Sequence, residues 1–169
     1  MKVYEIIKVF LIVVPISVSW KAAPNRMTYH TLKWSDFRGC NNLHGDEVAI
    51  LKWDWEYRSE VNDKGEWRFS VKNYFIPGES STLTSDPYVL LHEQVHLWIA
   101  QSESDFLQER LNEINGCKNC EWIGDSLYSS FFDEASKTQD YYDSCTQHSR
   151  DRILQKKWND RLMQYEKRN

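Results

Sequence analysis

His92-Glu93-Gln94-Val95-His96 places two imidazoles and a carboxylate inside the apolar run LLHEQVHLWIA at positions 90–100. On a helix, residues four apart lie about 40° apart around the axis and one turn along it, so both imidazoles can reach one metal ion. Glu93 sits about 60° from His96, beside that face, where a carboxylate can meet a metal's water without taking a coordination position. HExxH is the pattern of zinc hydrolases with two histidine ligands and a glutamate base. Val89, Leu90, Leu91, Val95, Leu97, Trp98, Ile99 and Ala100 surround it. An unpaired carboxylate among such residues costs several kcal/mol, and a divalent cation is a fitting partner.

A catalytic zinc needs a third protein ligand and an open position. The extended form with a third histidine six residues on is excluded, because Ile99 and Ser102 occupy its glycine and histidine positions. Glu103, Glu109 and Glu113 lie too far along an unbroken helix. His148, in YYDSCTQHSRDRILQKKW, is the choice for the third ligand, with Asp143 and Glu134 as rivals and His30 and His44 further off the pattern. Tyr142 is a candidate donor to the tetrahedral intermediate of peptide hydrolysis.

The surrounding sequence is organised to hold such a helix. TYHTLKWSDFRG suggests a strand running into a turn. Leu51 to Arg58 and Trp67 to Lys72 alternate apolar and polar residues around Asn62-Asp63-Lys64-Gly65, which reads as a β-hairpin with one buried face. Asp86-Pro87 is a helix start and Asn115-Gly116 a helix stop, with Gln101-Ser102-Glu103-Ser104 a candidate break. DSLYSSFFDEASKTQDYYDS after Gly124 reads as a second helix. A third, from about Thr146, carries the apolar stripe Ile153, Leu154, Trp158, Leu162 and Tyr165. Strands first and helices after give an α+β class.

At 169 residues the chain fits one domain. A formal charge of -4, from 21 Lys+Arg and 25 Asp+Glu, gives no global basic footprint for nucleic acid. Residues 148–169 run the other way, with seven Lys/Arg against three Asp/Glu, and read as the solvated face of an amphipathic helix. Basic residues, a short apolar run from Val9 to Val18 and the small residues Ser17 and Ser19 read as a secretory signal over residues 1–22, leaving 23–169 as the mature domain. That run is too short to span a bilayer, so the expectation is an exported, secreted or periplasmic chain with no stable membrane span. Outside a reducing cytosol, Cys40, Cys117, Cys120 and Cys145 favour disulfides, either within the CxxC or to Cys40 and Cys145.

Four segments, TLKWSDFRG, LLHEQVH, YDSCTQHS and QKKWNDRL, resemble in order and spacing a family of bacterial domains of unknown function described as secreted zinc-dependent proteases. The resemblance spans roughly residues 30–165. It implies a zincin-like metallopeptidase that holds Zn2+ with His92 and His96, uses Glu93 as its acid, and matches the family's late histidine with His148. The chain departs at Leu97, Trp98 and Gln101, at Cys145 where the family has Glu, and near Asp105 where an Arg is expected. These departures bear on substrate range and activity more than on metal binding.

The expected function is a secreted zinc hydrolase acting on a peptide or protein substrate. The rival is an exported, non-catalytic zincin-fold module that binds or inhibits. A thiol oxidoreductase built on Cys117 and Cys120 comes third, because this CxxC follows a helix stop instead of opening a helix after a strand. Oligomeric state is not legible in the sequence.

Overall fold

A computed structural model describes residues 26–40, 43, 45 and 47–166. The signal-peptide assignment, and with it the export assignment, lies outside them, as does His44. The described residues form an α+β structure of four strands and three helices: β1 (Ala49–Ile50), β2 (Trp53–Val61), β3 (Trp67–Phe75), β4 (Ser81–Thr82), α1 (Pro87–Ile114), α2 (Glu121–Thr146) and α3 (Arg152–Glu166). None of the helices is long and apolar enough to cross a membrane.

The expected hairpin forms in a register that pairs Trp53 with Phe75 and Val61 with Trp67. Its alternation puts Trp55, Phe69 and Val71 into a core shared with Leu107 and Leu111 of α1 and Ala135 of α2. Gly65 takes φ 73° in the connecting loop, a left-handed conformation open to glycine. β1 and β4 form a second, two-residue antiparallel pair, so the sheet region is two small sheets.

The segment expected as a strand near residues 28–39 is not one. Met27 makes an isolated bridge to Phe75, and Trp34–Asp36 forms a 3-10 turn. Its partner is α1: Gln94 accepts from the Leu32 amide at 2.7 Å and donates to the His30 carbonyl at 3.3 Å. A polar residue inside the apolar helix thus replaces the ladder that a strand neighbour would supply. Gln94→Ala removes both bonds and orphans the Leu32 amide. The expected cost is about 1–2 kcal/mol, read as a thermal midpoint lowered by about 2–8 °C.

α1 begins and ends as its sequence signals indicate. Asp86 accepts from the Tyr88 amide at 2.8 Å, Pro87 stands at the first turn, and Asn115 closes the helix before Gly116 at φ 91°. There is no break at Gln101–Ser104, because the helix interior there is packed: Ala100 and Leu107 are fully buried. The following loop closes on itself through a Cys117–Cys120 disulfide and on the hairpin through Trp67 N to Cys117 O at 2.8 Å. Cys40 and Cys145 are free thiols.

α2 starts before Gly124 and not after it. A side chain at position 124 would come within 2.7 Å of the Tyr57 hydroxyl, so glycine lets the helix lie directly on the hairpin. α2 then runs on to Thr146, and α3 starts only at Arg152, six residues later than the sequence suggested. The intervening Gln147, His148 and Ser149 all take positive φ, at 50°, 52° and 70°. Left-handed backbone costs about 1–2 kcal/mol per non-glycine residue, so this turn is held by its surroundings. Asp151 N donates to Thr146 O at 2.8 Å, and the Asp151 carboxylate caps α3 by accepting from the Ile153 and Leu154 amides at 3.0 Å.

Candidate metal centre

His92, Glu93 and His96 occupy the part of α1 that faces α2 and the 47–53 segment. His92 and Glu93 are each 4% exposed, as the apolar frame around them requires. The two imidazoles converge: His92 Nε2 and His96 Nε2 are 3.2 Å apart. Between them lies one oxygen of Asp143, contributed by α2, with Oδ1 at 3.0 Å from each Nε2. Among the described residues these three side chains form a group able to hold a metal ion.

Their separations are close to those of a tetrahedral metal site. With metal-ligand bonds of 2.0–2.2 Å, the edge of a ligand tetrahedron is about 3.3–3.6 Å. The observed 3.0 and 3.2 Å fall a few tenths short of that, within a small outward relaxation. Two imidazole nitrogens and a carboxylate oxygen are also a zinc donor set.

Second contacts fix the rings. Gln139, one turn before Asp143 on α2, accepts from His96 Nδ1 with its side-chain oxygen and donates Nε2 to the His96 carbonyl at 2.9 Å. Protonating Nδ1 in this way leaves Nε2 as the ligand atom. Tyr142 stacks on His92 with ring centroids 4.7 Å apart and meets His96 edge-on at 4.9 Å. Gln139→Ala is expected to weaken metal binding at this group by about 10–100-fold with the fold intact, read by competition with a chromophoric chelator.

Electrostatics bind the cluster together. Burial opposes ionisation of Asp143, yet the hydrogen bonds from His92 and His96 hold its carboxyl well below the usual range. Burial lowers the His92 pKa. It also opposes protonation of His96, where Asp143 and Glu93 outweigh it and raise the pKa. Glu93 is pushed up to about 7, chiefly by burial and only partly offset by His96. A cation at the three-residue group would favour the ionised carboxylate, as a general base needs.

These side chains open onto a cleft of ≈ 530 Å³. Its far wall is the 47–53 segment. One edge of that segment is already used, through Val48 O with Leu83 N, Lys52 N with Ser80 Oγ, and Lys52 O with Ile76 N. Alternation along an extended chain turns Ala49 and Leu51 the other way, and the Leu51 backbone hydrogen-bonds to Glu93.

His148 lies at the cleft mouth on the left-handed turn, with Nδ1 3.6 Å from Asp143 Oδ1 and 72% of its side chain in solvent. It stands outside the three-residue group. Tyr142 is fully buried, packed against Val95, Ile99 and Trp158, and its hydroxyl is enclosed in that core, not directed into the cleft. Glu134 is exposed beside Lys137. His30 pairs with Asp36, 3.3 Å away.

Gln139 escaped the sequence reading, although a signal existed: Gln139 and Asp143 are spaced four apart on α2, as His92 and His96 are on α1. Comparison with known protein families, curated proteins and solved structures finds no match for the chain.

Proposed function

We propose that this chain is a zinc-dependent hydrolase that cleaves peptide bonds, with His92, His96 and Asp143 as ligands and Glu93 as general base. The observation that carries the reading is the convergence of three ligand atoms on one point, with a buried carboxylate beside them at the base of an open cleft. Asp143 takes the third position in this reading because its oxygen lies 3.0 Å from both imidazole nitrogens, a few tenths short of a tetrahedral edge, whereas His148 stands at the rim. The resemblance to secreted zinc-dependent proteases points the same way.

Zinc bound there supplies a Lewis acid that brings the pKa of water down to about 7 and polarises a carbonyl. The chain does the rest. Gln139 and Tyr142 hold the imidazoles so that both Nε2 atoms point at the same site. Glu93 takes a proton from the attacking water on its carboxylate and delivers it to the departing amine nitrogen. Its enclosure by Leu51 and α1 limits bulk water around that proton. The edge at Ala49, next to the Leu51 backbone that already bonds Glu93, would align an extended substrate by strand addition.

The experiment is a digest. Zinc-loaded protein is incubated with a mixed peptide library, and products are read by mass spectrometry. Internal cleavage that stops on adding a chelator is the expected result; an unchanged library would sink the proposal.

A further inference from the structure

The two walls of the cleft differ in kind. The helical wall carries Glu93, Asp143 and the imidazoles, while the strand wall presents Ile50 and Leu51 and ends at Trp53. Trp53 is the one large aromatic side chain among the described residues lining the cleft. It is only partly buried, yet its position is fixed from behind. Its ring centroid lies 5.7 Å from that of Trp55 and 5.4 Å from that of Phe132 on α2. Trp55 is in turn anchored by its indole N–H to the Ala100 carbonyl at 3.1 Å. A rigid indole lining the cleft beside Ile50 and Leu51 is an apolar surface whose covering by a ligand is favourable, with little ordering cost.

Direction follows from the strand. Leu51 is the residue beside Glu93, and Trp53 lies two residues further along the same wall. A substrate running antiparallel to 48–52, the more stable pairing, brings its amino-terminal residues toward the Trp53 end. We infer that Trp53 is the floor of a specificity subsite that takes a large apolar side chain, such as Phe, Tyr or Leu, on the amino-terminal side of the scissile bond. The inference rests on the peptide-hydrolase reading above and names its substrate class.

The test uses binding, so that it does not depend on turnover. Zinc-loaded Glu93→Ala protein is titrated with fluorescent peptide pairs that differ only in Phe or Ala at that position, and anisotropy reports affinity. The Phe peptide is expected to bind at least about 10-fold more tightly. Trp53→Ala in the same background is expected to bring the ratio to within about twofold while zinc content is unchanged. Trp53→Leu keeps an apolar floor and retains an intermediate ratio, which separates loss of the subsite from loss of the fold. A ratio near one in the Trp53-containing protein, no measurable binding of the Phe peptide, or a ratio unmoved by Trp53→Ala overturns the inference. Cleavage by the unsubstituted chain is scored in parallel. Selective binding without cleavage removes the hydrolase reading and leaves the subsite, whereas cleavage without preference removes the subsite alone.

Discussion

Asp143→Ala is expected to strip zinc from the chain, with affinity falling by more than the roughly 100-fold that loss of an outer partner costs. The reason is geometric: Asp143 Oδ1 lies 3.0 Å from both Nε2 atoms, and no other carboxylate of the described residues joins that group. Asp143→Asn keeps the volume but replaces a charged oxygen with a neutral one, so it should fall between the two. His148→Ala is expected to retain most of the metal, because that side chain is largely in solvent and outside the group. Equilibrium dialysis against zinc, read by metal analysis, measures all three. Loss of zinc in His148→Ala with retention in Asp143→Ala would exchange the two assignments.

The second large effect falls on Glu93. Glu93→Gln preserves shape and burial but cannot accept the water proton, so kcat should drop by about 10²–10⁴ with zinc content unchanged. The buried site makes the split between metal and rate readable, because Glu93 is not in the ligand group. Zinc bound at full stoichiometry with no cleavage by the unsubstituted protein would favour the binding-module reading instead. Undiminished cleavage by the glutamine variant would remove Glu93 as the base.

What could be read from the sequence was what is local. The ends of α1 were legible because Asp86-Pro87 and Asn115-Gly116 are capping chemistry confined to a few residues. The hairpin was legible because its alternation and its turn adjoin. Both histidines and Glu93 were legible because helical spacing alone brings them to neighbouring faces.

Contacts between distant segments were not. Gln94 has no partner that sequence spacing could show beside the two histidines, since Leu32 lies 62 residues away. Asp143 is only a rival on sequence grounds, because residue spacing carries no measure of how α2 lies against α1 and points to a last helix that begins at Thr146. With α2 running to Thr146, Asp143 is carried on a rigid helix to the imidazoles, and His148 is left on the turn beyond it. Tyr142, adjacent in sequence, is rotated about 100° around the same helix and so enters the core behind the histidines.

A zinc titration of activity bears on the proposed metal chemistry without intermediate steps. Metal-free protein at known concentration is titrated with zinc while cleavage of an internally quenched peptide, chosen from the library digest, is followed. Activity is expected to rise from zero and to reach its plateau at one zinc per chain. Cleavage that is present without zinc, or absent at every zinc concentration, would contradict the proposed metal chemistry.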